Sequence, residues 1–175
     1  MRQVIALVVT LCVLAAQADE PVAVEATAAI RDALREAAAL TVYHGLPGDR
    51  LPDESTRRAA EIERLAQEAE RTGRPTTEEI GGYTFYLPAT VERQPGLLQN
   101  LLMHPKTYSV YGGPKRCGGF HPDYAVTWQR GEITYHALIC LTCHEIRLSD
   151  GSTNAIYDMA PGRFEMLRGA LAGYK

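Results

Sequence analysis

Several features that would assign a function directly are missing from this 175-residue sequence. After the apolar run of residues 4–16, no segment reaches the roughly 18 to 20 apolar residues that a membrane-spanning helix needs. Lysine and arginine form no cluster, so neither nucleic acid nor an anionic membrane is an expected partner. The chain also has no internal repeat, no glycine-rich phosphate loop and no nucleophile elbow. The partner is therefore unknown.

The first 18 residues follow the pattern of a secretory signal peptide. Arg2 precedes the apolar run, and Ala16 and Ala18 supply the small residues of a cleavage site. Cleavage after Ala18 leaves 17 basic residues against 21 acidic ones, a formal charge of −4. The pattern predicts export, to the periplasm or out of the cell, with no permanent membrane segment in the mature chain.

Cysteine is scarce, and its number is odd in the mature chain. Of the four cysteines, Cys12 is removed with the leader, while Cys117, Cys140 and Cys143 stay. Thiols of exported proteins are normally oxidised in pairs. The third thiol therefore needs an explanation.

Local patterns divide the mature chain into a helical lead-in and one domain. The lead-in, residues 19–39, is rich in Ala, Glu and Arg, and Ile30 and Leu34 fall on one helical face. Residues 40–175 are predicted to form a single domain. In it, composition and capping signals predict short strands at residues 40–43, 83–87, 108–111 and 145–148, and helices at residues 53–71, from Pro95 to Leu102 and from Pro161 onward.

The clearest pattern is an alternation typical of a β-hairpin in the C-terminal half. Tyr124 and Trp128 alternate with small or polar residues, a turn follows at residues 129–132, and Tyr135 continues the alternation to Cys140. These three aromatic residues are predicted to lie in the core. The whole pattern favours the α+β class, with an antiparallel sheet, a C-terminal β-hairpin and helices packed on one face.

The candidate chemistry is concentrated in Cys140-Leu141-Thr142-Cys143-His144. This C-x-x-C-H run is the attachment signature of a c-type haem. Side chains three apart on an undistorted strand point to opposite faces, so the two sulfurs converge only if the chain bends. Metal binding, haem attachment and a close redox pair would each require that bend.

A metal hypothesis uses all the thiols of the mature chain. Cys117, His121, Cys140 and Cys143 together make a Cys₃His set, which is suited to a closed tetrahedral zinc site. The exported compartment weakens it, since thiols there are more often oxidised than loaded with zinc.

A haem hypothesis gives thioether bonds to Cys140 and Cys143 and an iron ligand to His144, which makes the protein a mono-haem c-type cytochrome that carries electrons. Such motifs usually begin a helix, whereas this one interrupts a strand pattern. Haem would also leave Cys117 unexplained.

A disulfide hypothesis pairs Cys117 with Cys140 or with Cys143 and leaves the remaining thiol buried or reactive. A thiol enzyme built on Cys117 and His121 is a further alternative, but neighbours in sequence are not the spatial pairs that such catalysis uses. No catalytic residue is therefore assigned. The other histidines, His44, His104 and His136, have no ligand-like spacing and are predicted to be surface or capping residues.

Two segments resemble a family of small exported bacterial proteins of uncharacterised function. They are Cys117-Gly118-Gly119-Phe120-His121-Pro122, with the strand after it, and Ile139-Cys140-Leu141-Thr142-Cys143. The resemblance extends from about Thr41 onward and is strongest from Arg116 to Leu148. It implies the fold and the cysteine cluster, and it implies no reaction. The leading expectation is an exported, non-catalytic structural or binding module whose Cys/His cluster serves as a disulfide or a metal site.

Overall fold

The computed structural model describes residues 20–48, 52–93, 96–116 and 119–174. The described helices are α1 (Glu20–Arg35), α2 (Pro52–Thr72), α3 (Leu97–Met103) and α4 (Pro161–Leu171), with a 3₁₀ turn at Pro105–Thr107. The described strands are β1 (Leu40–His44), β2 (Thr77–Ile80), β3 (Tyr83–Tyr86), β4 (Thr90–Glu92), β5 (Tyr108–Val110), β6 (Tyr124–Arg130), β7 (Ile133–Cys140), β8 (Glu145–Ser149) and β9 (Asn154–Met159). The predicted signal peptide and Pro95 lie outside these ranges.

Seven of the strands form one antiparallel sheet in the order β4-β1-β6-β7-β8-β9-β5, and β2 pairs with β3 in a separate hairpin. The strands from β6 to β9 follow one another as a meander, because only short turns separate them. The predicted α+β class, with an antiparallel sheet and a C-terminal hairpin, is confirmed. No described helix is long and apolar enough to cross a bilayer.

The larger core cluster joins three helices to alternate residues of the sheet. Its helical members come from α1, α3 and α4, and its strand members include Val42, Val126, Ala137 and Ile146. The predicted core aromatics belong to it: Trp128 and Tyr135 are paired across β6 and β7, with their rings stacked at 5.9 Å. Apolar side chains that alternate along β1, β6, β7 and β8 account for this face.

The opposite face of the same strands carries a smaller core. We call this opposite side of the sheet the second face. It is defined by four residues that pair across neighbouring strands: Tyr43, Ala125, Leu138 and Arg147. Phe85 of β3 is fully buried against Ala125 and Leu138. The β2–β3 hairpin therefore covers the middle of the second face, and helix α2 contributes no member to either cluster.

Three strands were not predicted, namely β2, β4 and β9. Strand β4 has three residues, and β2 carries Glu78 and Glu79, so neither has the apolar alternation that predicts a strand. The predicted strands and helices that lie in described residues are present within a few residues of the expected bounds.

Candidate functional site

The two cysteines of the C-x-x-C-H run lie at a hairpin turn. Cys140 is the last residue of β7 and pairs with Glu145, the first of β8, so residues 141–144 form the loop. His144 has a φ of 53°, and the backbone N–H of Cys143 donates to Cys140 Sγ at 3.3 Å. The bend needed to bring the two cysteines together is therefore the turn of residues 141–144 between β7 and β8. The two described cysteines are not bonded to each other.

Cys143 faces the loop that precedes β6. Its Sγ lies 3.2 Å from the carbonyl oxygen of Gly119, and its side chain is buried, with 5% of the residue exposed. Cys117 lies outside the described residues. The structure therefore brings Cys143 to the backbone of Gly119 and leaves Cys140 fully buried on the second face.

The described part of this loop, residues 119–123, is held by contacts at several points. His121 Nε2 donates to the carbonyl oxygen of Leu46 at 2.8 Å. Asp123 Oδ2 accepts from the N–H of Leu141 at 2.6 Å, and the carbonyl oxygen of Asp123 accepts from the N–H of Gly45 at 2.7 Å. The loop is therefore fastened both to the β7–β8 turn and to the end of β1.

A charged pair lies beside the cysteines on the second face. Glu145 is 2% exposed, and its Oε1 accepts from Arg147 Nε at 2.9 Å. The Arg147 guanidinium lies 3.9 Å from the ring centroid of Phe120 and 3.4 Å from the hydroxyl of Tyr83. A buried carboxylate needs such a partner, and the same guanidinium packs the loop onto the sheet.

A shallow cavity of about 560 Å³ opens next to Cys143 and His144. The His144 ring is stacked on Phe164 of α4, with 3.9 Å between centroids. On the far wall, Lys115 Nζ lies 2.6 Å from Asp158 Oδ2, while Asp158 Oδ1 is buried without a hydrogen bond from any described group. Lys115 and Asp158 neutralise each other, and Arg116 also lines this cavity.

The metal hypothesis gains no support from the described residues. They contain no group of three or more His, Cys, Asp or Glu side chains placed to hold an ion, although His121, Cys140 and Cys143 are all among them. His121 Nε2 already donates to a backbone carbonyl. The full Cys₃His set includes Cys117, which is outside the described residues.

The secondary structure around the C-x-x-C-H run differs from that of most haem attachment motifs. The run begins in a strand and turns into a hairpin loop, whereas such motifs usually begin a helix. Cys140 is fully buried, so a thioether there would require the packing under the β2–β3 hairpin to open. The His144 ring lies against Phe164.

Sequence reasoning found the cysteines and missed the charged pair Glu145–Arg147. Residues two apart on a strand share a face, so the pair was detectable as a unit, but its burial depends on Phe120 and Tyr83 from other segments. His104 is a capping residue as predicted, since its Nδ1 accepts from the N–H of Lys106 at 3.1 Å. His136 instead lies half-buried beside a groove.

Comparisons with family models, with curated proteins and with solved structures find no significant match to this chain.

Proposed function

We propose that the protein is an exported, non-catalytic structural or binding module in which a Cys117–Cys143 disulfide fastens the loop before β6 to the β7–β8 hairpin. The observation that carries this proposal is the 3.2 Å contact between Cys143 Sγ and the carbonyl oxygen of Gly119. Cys117 is two residues from Gly119, and two residues span at most about 7 Å. That reach is compatible with the Cα separation of a disulfide.

Cys140 is the less suitable partner for Cys117. It is fully buried on the second face, where it pairs with Glu145, and its sulfur accepts the N–H of Cys143. A small buried thiol of this kind behaves as an apolar core residue. The proposal therefore explains the odd cysteine count as one disulfide and one core thiol.

The environment of the cysteines supports a structural role more than a catalytic one. The polar groups nearest to the loop are used in holding it: His121 contacts Leu46, and Arg147 pairs with Glu145. A thiol nucleophile needs a base that is oriented toward its sulfur, and His121 is oriented toward a backbone carbonyl instead.

Export belongs to the same proposal. The leader pattern of residues 1–18 directs the chain to a compartment in which disulfides persist. We also propose that the chain is related to small exported bacterial proteins, on the basis of the same cysteine segments.

Peptide mapping tests the disulfide without ambiguity about the chain segments. Trypsin cleavage after Arg116, Arg130 and Arg147 places Cys117 in the peptide of residues 117–130 and both other cysteines in that of residues 131–147. Under non-reducing conditions, with thiols blocked before digestion, we expect the two peptides to be joined and one blocked thiol to be present.

Two matched variants assign the bond. The joined peptides should persist in Cys140→Ser and disappear in Cys143→Ser. The opposite result would assign the bond to Cys140, and three blocked thiols in the exported protein would overturn the proposal. A haem-sized mass increase on the peptide of residues 131–147, with a Soret band, would establish the cytochrome alternative. Bound zinc that is lost in His121→Ala would establish the metal alternative.

A further inference from the structure

A groove of about 820 Å³ lies on the second face, at the end of the strands away from the cysteines. Its wall is β2 with the turn that follows, and its floor is the part of β1, β6 and β7 that the hairpin leaves uncovered. A Cβ on Gly81 would lie 2.9 Å from Leu138 Cδ1 and 3.0 Å from His136 Nε2. The turn at Gly81 thus closes tightly on the sheet and ends the groove.

The floor is a grid of uncharged polar side chains. Register places Thr41 beside Thr127 and Thr127 beside His136 in one row, and Gln129 beside Thr134 in the next. Neighbours in a row are about 4.8 Å apart and rows are about 6.7 Å apart. Such a grid offers several uncharged hydrogen-bonding groups to one ligand.

The charged side chains that line the groove are acidic. Burial lowers the pKa of His136, so its imidazole is uncharged at neutral pH. Burial and then the charge of Glu78 raise the pKa of Tyr43, whose hydroxyl is hydrogen-bonded to Thr127. Glu78 is on the same face of β2 as the buried Ile80, and none of the described residues lining the groove is lysine or arginine.

This arrangement discriminates between classes of ligand. Anionic ligands would meet Glu78 and find no cation in return. An ammonium group can only donate, so it would leave the N–H and O–H donors of Gln129 and of the threonines without acceptors. A sugar hydroxyl both donates and accepts, and it can satisfy the floor and the carboxylate together.

We infer that the groove formed by β2 and the polar rows of β1, β6 and β7 binds a neutral polyhydroxylated ligand, a segment of an uncharged oligosaccharide. The inference names a ligand for the proposed binding role. It does not depend on the disulfide, because the groove and the cysteines lie at opposite ends of the second face.

An amide NMR titration of the exported protein tests it, with neutral hexasaccharides of glucose, of mannose and of N-acetylglucosamine as probes. We expect saturable shifts at millimolar probe confined to the backbone around Thr41, Thr127, Gln129, Thr134 and His136. Gln129→Ala should weaken binding about two- to tenfold, the loss of one or two hydrogen bonds. Gln67→Ala, the same change on the exposed side of α2, should leave affinity unchanged.

A second variant keeps the inference falsifiable if the single hydrogen bond matters little. Thr134→Trp places an indole in the groove from an exposed position and should abolish the shifts while the dispersed spectrum of the folded protein persists. Absence of shifts with every neutral probe, or saturable binding of spermidine or of a sulfated oligosaccharide alone, would overturn the inference. Peptide mapping on the same sample reports the disulfide separately, so the two proposals fail independently.

Discussion

Removing the proposed Cys117–Cys143 bond should lower the free energy of unfolding and leave the loop in place. A crosslink between these positions closes a loop of about 27 residues, for which loop-closure entropy gives about 3.5 kcal/mol at room temperature. The folded loop keeps its other contacts, because Phe120 packs on Arg147 and His121 donates to Leu46. The cost therefore arises mainly in the unfolded chain, which gains freedom.

Urea unfolding of Cys117→Ala, of Cys143→Ala and of the double variant measures the coupling between the two sulfurs. We expect each single variant to lose about 3 to 4 kcal/mol and the double variant to lose at most about 1 kcal/mol more, because one crosslink can be lost only once. Reductant should bring the parent protein to the stability of the variants and should leave the variants unchanged.

Cys140→Ala is the matched control, since Cys140 is buried in the same hairpin. It should lose about 0.5 to 3 kcal/mol through its own packing and should keep the response of the parent protein to reductant. Additive losses in the Cys117→Ala/Cys143→Ala variant, or a reductant response that vanishes in Cys140→Ala, would refute the reasoning.

Three further outcomes follow from the geometry. Burial lowers the pKa of His136 below its ordinary 6.5, so its contribution to stability is full above about pH 6.5 and is lost at lower pH, where the unfolded chain takes up the proton first. As the pH is lowered, the urea midpoint of unfolding should therefore fall less steeply in His136→Gln than in the parent protein. Equal dependence of the two midpoints on pH would contradict this. Gly45→Ala should cost about 1 to 3 kcal/mol because its Cβ would lie 2.2 Å from a carbonyl oxygen, whereas Gly162→Ala meets nothing within 4 Å and should not lower the melting temperature; equal melting temperatures for the two variants count against the packing argument. In Cys143→Ala, amide hydrogen exchange should accelerate in the central strands β6 and β7, because the slowest amides exchange by global unfolding and the free energy of unfolding is lower while the loop keeps its folded contacts; unchanged exchange there would contradict the loss of stability.

The sheet was predictable where one face is continuously apolar. Tyr124, Val126 and Trp128 alternate with smaller or polar residues, and the structure buries all three in the larger core. A one-residue slip would move this set to the opposite face, so the pattern specifies both the strand and its register. The same argument holds for β7 from Tyr135 to Ile139.

Strands that are short or polar on both sides carried no comparable signal. Strand β2 has the sequence Thr-Glu-Glu-Ile, and only Ile80 is buried. Its pairing depends on β3, whose Phe85 fills the space over Leu138. Strand β9 does have alternating buried residues, Ala155 and Met159 among them. Its pattern was therefore present in the sequence, although the strand was not predicted.

Part of the candidate site could be predicted from the sequence, and part could not. The need for a bend between Cys140 and Cys143 follows from strand geometry and could be predicted. The burial of Glu145 could not, because a carboxylate on a strand ordinarily lies in water. Its environment is supplied by Arg147 and Phe120, which the fold brings together from segments that are 27 residues apart in the sequence.

The second face gains its properties from what covers each part of it. Near the cysteines, the loop of residues 119–123 covers the sheet. In the middle, Phe85 covers the apolar pair Ala125 and Leu138. Beyond Leu138 the side chains become polar, and among the described apolar side chains of the hairpin Ile80 alone lines the groove beside them. Burying these polar side chains without hydrogen bonds would cost free energy, whereas leaving them hydrated beside the hairpin costs little. They are therefore available to a ligand. At the other end of the hairpin, Phe120 of the loop contacts Tyr83 with 5.6 Å between ring centroids, so the loop and the hairpin pack against each other over the second face.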